Sequence, residues 1–452
     1  MEDAEDDERF RDQGFTRPSV LVLLPTRQLC HRFVHNLTAL TGTEMEEEHL
    51  ARFERDYGTA VDENEEILGE KEERRRKVVL EKKGKDWNEL FGDDVNKDDD
   101  FKLGISLAPK MAKRKNSKQN RGSNVSVKLY TDFYKSDVII ASPLGLKMLI
   151  APDEEGKEGD YDYLSSIEIC LIDFADVLLM QNWDHVNDIL NLLNQEPQNN
   201  NNTDFSRVRQ YMLEGQAAHW RQLIVSSKII DPCMISSFKR FAKSESGSIK
   251  MRRKVKPETA SIANVLVPIK QVFQKIPVAS FEKQSEARVN YFVNTLLPQI
   301  QRRKQKHIMV YVPSYFDFVS LRNAFLKRDL SFVSVTEYSR PTEISRGRAR
   351  FLQGRKPIML YTGRCNFFFR HPIKGVRHLI FLGLPEHPEF FSDQVNQIST
   401  TADESDIDAA TSIASCLALF TRYEAHALER VVGSGNCSRM LASEKCTFMF
   451  YS

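Results

Sequence analysis

The chain carries no excess of either charge: among 452 residues, 64 Lys and Arg stand against 63 Asp and Glu. That balance excludes a uniformly basic coat for nucleic acid and leaves room only for local patches. No apolar run approaches the roughly 18 residues that a membrane-spanning helix requires. The first nine residues, MEDAEDDER, are acidic, the reverse of a signal or transit peptide. There is no CxxC pair, and the seven cysteines (Cys30, Cys170, Cys233, Cys365, Cys416, Cys437 and Cys446) are scattered and odd in number. A disulfide scaffold and a zinc ribbon are thereby excluded, and buried thiols in a reducing compartment fit the count. His31 and His35 are one helical turn apart, but Arg32 follows the first where HExxH has Glu, so the pair reads as structural and no metal site is expected. No GxxxxGK[ST] phosphate loop occurs; Gly84-Lys85 and Gly156-Lys157 are each followed by an acid in polar surroundings. What is present is ample core-forming material, 41% hydrophobic against 28% charged, in a length that suits two domains with insertions.

The neutral total hides opposed blocks. Residues 44–77 are rich in Glu and Arg, and Asp93, Asp94, Asp98, Asp99 and Asp100 form a second acidic cluster. Lys110 to Ser123 holds six Lys or Arg and no acid; Lys239 to Lys256 holds eight and one Glu. Asn194 to Thr203 is mostly Asn and Gln. Such stretches bury too little apolar surface to offset ordering entropy, so they read as insertions and linkers. Each basic run fits either a solvated segment or nuclear address, or contact with RNA phosphates through counterion release.

Between the blocks, strands alternate with helices. Val20 to Leu24 is a Val/Leu run ending at Pro25, followed by a helical period at Leu29, Phe33, Leu37 and Leu40 that Gly42 closes. Further apolar runs at 137–141, 167–172, 222–226, 308–312, 332–336, 358–361, 376–382 and 416–421 predict strands, with helices over 315–327 and 422–432. This alternation predicts parallel sheets covered on both faces. The break near 231–280 predicts two such sheets in tandem.

In parallel α/β domains, function gathers at the carboxyl ends of strands. Here those ends read PTRQL (25–29), SPLGL (142–146), DFAD (173–176), SSK (226–228) and TGR (362–364). In this order they resemble the sequential motifs of DEAD-box RNA helicases: PTREL, TPGRL, DEAD and SAT. The resemblance implies two RecA-like domains that clamp ATP and single-stranded RNA between them. It implies that Thr26 and Arg27 lie on RNA phosphates, with Ser142 and Gly145 offering a hydroxyl and a backbone N–H to the same strand. Thr362, Gly363 and Arg364 would face the RNA from the second domain. Thr26 and Ser142 also suit helix capping, which is compatible with phosphate binding.

The departures from that pattern fall on the residues of ATP turnover, which needs a phosphate cradle, a Mg²⁺ carboxylate, a water-orienting group and positive charge on the transition state. Asp173 and Asp176 remain, but Phe174 stands where the family has Glu, and a phenyl ring cannot orient water. Lys228 replaces the small Thr of SAT. Residues 385–396, PEHPEFFSDQVN, hold no Arg where HRIGRxGR belongs, and a transition-state arginine is worth roughly 10³–10⁵ in rate. No cofactor is therefore expected. A metal-dependent nuclease lacks a third carboxylate or His near Asp173 and Asp176.

Longer stretches are similar to a narrower family, the U3 small nucleolar RNA-associated protein 25 (digestive-organ-expansion-factor) family. They are RDQGFTRP (11–18), FGDDVNKDDDFKLGISLAPK (91–110), LYTDFYKSDVIIASPLGLKMLI (129–150), IEICLIDFADVLLMQNWDHV (167–186), YTGRCNFFFRHPIKGVRHLIFLGLPEHPEFF (361–391) and TRYEAHALERVVG (421–433). This resemblance implies a helicase-like component of the small-subunit processome in the nucleolus, required for early pre-rRNA cleavage. Its partners would be pre-rRNA and U3 small nucleolar RNA, directly or through proteins, and other processome proteins, with no membrane. It would act by binding; the alternative is an active ATP-dependent helicase.

The expected layout is an acidic tail over 1–16, a RecA-like domain over 17–230 with a charged insertion at about 44–123, a basic linker over 231–280, and a second RecA-like domain over 281–452. Because the first credible strand already leads into PTRQL, the central phosphate-loop strand is expected to be missing, and the sequence to be short at its amino end. The Arg-rich segment 340–356 is the preferred RNA or partner face of the second domain, with Arg346 and Arg350 as candidates. Phe367-Phe368-Phe369 beside Arg370 reads as buried packing, with base stacking as the other use.

Overall fold

A computed structural model describes residues 13–59, 78–109, 125–151, 159–199, 203–399 and 414–451, apart from positions 46, 79 and 82. The acidic first residues and the basic run 110–123 lie outside them. The chain divides into two compact units, residues 1–250 and 251–452. Among the described residues no helix is long and apolar enough to cross a membrane.

In the first unit, β1 (Val20–Leu23), β2 (Glu44–Met45), β3 (Lys102–Pro109), β4 (Val125–Leu129), β5 (Val138–Ala141), β6 (Ile169–Ile172) and β7 (Gln222–Val225) form one sheet in the order β2-β4-β3-β5-β1-β6-β7. Strands β5, β1, β6 and β7 run parallel, and their last residues Ala141, Leu23, Ile172 and Val225 stand in register. Period-two alternation sorts the side chains to two faces. Leu21, Leu23, Ile139, Ala141, Cys170 and Ile172 pack with Leu178, Val186 and Ile189 of helix Ala175–Leu192. Val22, Leu24 and Ile140 face the other way, onto Cys30 and Val34 of helix Arg27–Thr41 and Phe53 and Tyr57 of helix Glu47–Tyr57.

Two parts of the expected layout are corrected here. The stretch 44–109 is not simply an insertion: it supplies β2, β3 and the helix Glu47–Tyr57. Within it Phe53, Tyr57, Phe101, Leu103 and Ile105 are buried, and burying each such side chain is worth about 1.5–3 kcal/mol. β1 is paired on one edge by β5 and on the other by β6, and β7 stands at the end of the sheet, where it pairs with β6. The tail is held from residue 13 onward: Gln13 bridges to Val208, and Phe15 is buried with Val208, Met212 and Ala217.

The second unit holds β8 (Lys270–Lys275), β9 (Ile308–Val312), β10 (Phe332–Val335), β11 (Ile358–Thr362), β12 (His378–Phe381), β13 (Ser415–Phe420) and β14 (Thr447–Tyr451), in the order β10-β11-β9-β12-β13-β8-β14. Only β14, at the edge, is antiparallel to its neighbour. Ile308, Val310, Val312, Leu360 and Leu382 pack with Phe318, Leu321 and Phe325 of helix Tyr315–Lys327. On the opposite face the Tyr311 ring is tilted against Phe381, which stacks on Phe391, with ring centroids 5.3 Å and 4.9 Å apart. The segment expected as a linker is divided between the two units. Helix Pro232–Phe241 buries Met234 and Phe241 in the first core, and β8 lies inside the second sheet.

Candidate nucleic-acid interface at the strand ends

The aligned register of the first sheet sets the motif residues side by side. At the end of β1, Thr26 is buried, and its extended backbone (φ −143°, ψ 157°) starts helix Arg27–Thr41 without a side-chain cap. The helix amides are met from elsewhere: Arg27 N donates to Asp98 O (2.9 Å) and Gln28 N to Asn96 O (3.2 Å). The Arg27 guanidinium donates to Asp100 O (2.9 Å) and, more weakly, to Asp56 O (3.4 Å), and pairs with the Asp98 carboxylate at 2.9 Å. Tyr57 lies beneath it, 5.7 Å from the ring centroid.

At the end of β5, Ser142 Oγ accepts from Gly145 N at 2.9 Å and caps helix Pro143–Ile150. Ser142 N donates to Phe101 O (3.0 Å), and a Cβ on Gly145 would stand 2.4 Å from that oxygen. Glycine is therefore required here by the close approach of another backbone. Asn96 to Phe101 thus lies across both helix N-termini. Its carbonyls and the Asp98 carboxylate take donors that a phosphate would otherwise use. Burial, next to the charges of Asp98 and Asp100, raises the Asp99 carboxyl above its ordinary range.

At the end of β6, Asp173 Oδ1 accepts from Phe174 N at 2.8 Å. Phe174 is left-handed (φ 51°, ψ 42°), a conformation that costs a non-glycine residue roughly 1–2 kcal/mol. Its carbonyl accepts from Val177 N and Leu178 N, and its ring packs against the cluster of Val22, Leu24 and Ile140. Asp176 is buried and turned toward β7, accepting from Lys228 N (3.2 Å) and Ser227 Oγ (3.4 Å). Asp173 and Asp176 therefore serve separate partners.

In the second unit Thr362 caps helix Gly363–Phe369, accepting from Cys365 N (3.3 Å) while donating to Glu337 Oε2 (2.9 Å). Arg364 Nε approaches Glu337 Oε1 at 3.5 Å, a contact of charge without hydrogen-bond alignment. Gly363 packs under Tyr311 and Pro313, where a Cβ would meet atoms at 3.1–3.2 Å. Burial, then the Glu337 carboxylate, pushes the Cys365 thiol up to about 12, which makes it no nucleophile. Phe367 is buried, as expected of that run, but Phe369 is exposed and stacks on His371 at 5.5 Å.

Arg346 and Arg350 sit one turn apart on the outer face of helix Pro341–Leu352. The inner face, Ile344, Gly347 and Phe351, is buried. Both arginines are exposed, and neither has an ion-pair partner among the described residues. Arg348 differs, donating to Pro372 O at 2.6 Å.

Three sets of residues were not legible as partners along the chain. One is Asn96 to Phe101 over the helix N-termini. Glu337 is the second, although its place just past β10 is the kind of strand end where function gathers. The third is Arg288, which bonds Glu424 Oε1 at 2.8 Å and faces Asp317 Oδ2 at 3.0 Å. Through Asp317 and Glu424 it ties together the segments that follow β9, β12 and β13.

These features define a class: a two-unit α/β protein built on two mostly parallel sheets, with the motif residues gathered at the strand ends. The family models place the chain within that class. The one described as "UTP25, NTP hydrolase-like domain" matches residues 1–249, and the one described as "Utp25, C-terminal domain" matches residues 261–450. The chain belongs to the UTP25 family. It is 38% identical over 449 residues to Protein NUCLEOLAR FACTOR 1 of Arabidopsis thaliana, covering 98% of this chain and 56% of that one. It is 36% identical over 449 residues to the U3 small nucleolar RNA-associated protein 25 homolog of Homo sapiens, covering 98% and 54%. The chain spans about half the length of these curated relatives. A DEAD box protein from Methanococcus jannaschii aligns over 93% of this chain and 78% of its own at 12% identity, with a TM-score of 0.27 that is too low to carry residue correspondences.

Proposed function

We propose that this chain is the non-catalytic, helicase-like part of a small-subunit processome factor. It works in the nucleolus, in early pre-rRNA cleavage on the way to the small ribosomal subunit. Pre-rRNA and U3 small nucleolar RNA, met directly or through proteins, and other processome proteins are its partners. The relatives' names, which speak of a nucleolar factor and of association with U3 small nucleolar RNA, support this setting. The observation that carries the non-catalytic reading is the end of β6, where the half-buried Phe174 ring packs against the core and Asp173 is bonded to the adjacent amide.

The outward arginines 346 and 350 are the favoured phosphate contacts, because Arg27 is already engaged by Asp98 and Asp100 and Arg364 by Glu337. Replacing both by Ala is expected to weaken RNA binding across sequences and to reduce the slope of log K against log salt by about 1.4–1.8. An unchanged slope removes this face from the interface. Crosslinking the tagged protein to RNA in nuclear extract tests the setting; crosslinks that map to neither pre-rRNA nor a small nucleolar RNA refute the RNA-binding half. Phosphate release from ATP, with and without RNA, tests the rest: RNA-stimulated hydrolysis that Asp173→Asn abolishes would establish a catalytic protein.

A further inference from the structure

His31 and His35 are separated by 23 and 19 positions from Glu54, yet their Nε2 atoms lie 2.8 Å and 2.7 Å from its two carboxylate oxygens. The two Nε2 atoms are themselves 3.1 Å apart. The i, i+4 spacing puts both rings on one side of helix Arg27–Thr41. Helix Glu47–Tyr57 crosses that side and presents Phe53, which stacks on His31 at 5.4 Å, and Glu54 beside it. Among the described residues, this is the group of His, Cys, Asp and Glu whose ligand atoms converge.

Protons alone satisfy this arrangement poorly. With a proton on each Nε2, both rings bond Glu54, but two like N–H dipoles stand 3.1 Å apart. With a proton removed from one ring, that ring presents a lone pair to the carboxylate. A single cation resolves the conflict by taking both lone pairs and a carboxylate oxygen. We propose that His31, His35 and Glu54 form a Zn²⁺ site that braces helix Glu47–Tyr57 against helix Arg27–Thr41. Two imidazoles and one carboxylate are a known three-residue zinc set, with water as the fourth ligand. Mg²⁺ and Ca²⁺ prefer all-oxygen shells, and Cu⁺ prefers sulfur. Ligand atoms around tetrahedral zinc are about 3.3 Å apart for bonds of about 2.05 Å, so the three groups need move by only a few tenths of an ångström. Glu54 and His35 side chains are 45% and 39% exposed, which leaves an entry path and room for the water.

The brace reaches the strand ends. Asp56, two residues past Glu54, accepts at its carbonyl from Asn96 (3.2 Å) and Arg27 (3.4 Å). An ion that fixes Glu54 therefore also steadies the segment lying over the helix N-termini.

The test uses the full chain, stripped with chelator and titrated with Zn²⁺ by calorimetry and with Co²⁺ by visible absorption. One ion per chain and a tetrahedral Co²⁺ spectrum are expected. His35→Gln and Glu54→Gln, both at exposed positions, should each weaken Zn²⁺ by at least about 100-fold, beyond what loss of an outer-shell partner does. The Cys233→Ser/Cys446→Ser variant, lacking the two exposed thiols, should bind as the unaltered chain does. Zn²⁺ at a hundredfold excess over Kd should raise Tm by roughly 5–10 °C, and not in His35→Gln. No uptake, or uptake insensitive to His35→Gln and Glu54→Gln, overturns the site. Site-specific uptake without a Tm shift overturns the brace.

Discussion

Replacing Arg288 by Met tests what holds the strand ends of the second unit. The guanidinium is nearly buried, its side chain 8% exposed, between the Asp317 and Glu424 carboxylates at 2% and 12%. Asp317 also accepts from Ser285 Oγ, and Glu424 from Leu384 N (3.2 Å) and Thr421 N (2.8 Å). Gly383 lies against the same group: a Cβ there would stand 2.6 Å from Arg288 Nη1. Methionine keeps most of the volume and removes the charge, leaving two carboxylates without their cation in a poorly solvated site. Breaking a buried pair in this way costs about 3–5 kcal/mol, because the charge left behind has no compensation. For a unit of this size that is a fall in Tm of roughly 6–20 °C. Urea unfolding followed by circular dichroism reads the loss. Asp317→Asn should cost less in the Arg288→Met background than in the unaltered chain, with a coupling of about 1–3 kcal/mol. A loss below about 1 kcal/mol for Arg288→Met, or additive effects of the two changes, would refute the network as a structural tie.

Two further outcomes follow from the first and second sheets. Burial, followed by the nearby Arg377 charge, pushes the His378 imidazole down to about 4, and the ring meets Ser415 Oγ at 2.8 Å. The unfolded chain takes up this proton near 6.5 and the folded chain only near 4. Stability is therefore full above about 6.5 and falls by about 3 kcal/mol as pH drops to about 4; His378→Gln should flatten that slope in urea titrations across the range. Arg27→Ala should release Asp98 to Phe101 from the helix N-termini and cost about 1–2 kcal/mol. Hydrogen exchange should quicken at those amides, and unchanged exchange there would show that Arg27 does not hold the segment.

The strands were legible because parallel strands buried on both faces are short continuous apolar runs, which stand out from their charged surroundings. Ile308–Val312 and Tyr315–Lys327 fall where the pattern puts them. The linker and insertion readings fared worse for a physical reason. Phe53, Tyr57 and Phe101 are sparse among charges, yet each is buried against a sheet that the local pattern does not contain. Strand β8 is hidden in the same way, since its neighbours β13 and β14 lie more than a hundred residues further along the chain. The strand-end motifs identified the place of the candidate site; the partners of its side chains were out of reach.

The sequence by itself determined the order of motifs, the phenyl side chain at position 174, the absence of arginine from 385–396 and the even balance of charge. Tertiary structure decided what the charges do. Arg27 meets Asp98 and Asp100, Arg364 meets Glu337, Arg288 meets Asp317 and Glu424, and two histidines meet Glu54. Ion pairing depends on distance and burial, neither of which a count along the chain contains. Only folding therefore separates arginines already neutralised, such as Arg27, from those left facing outward, such as Arg346 and Arg350.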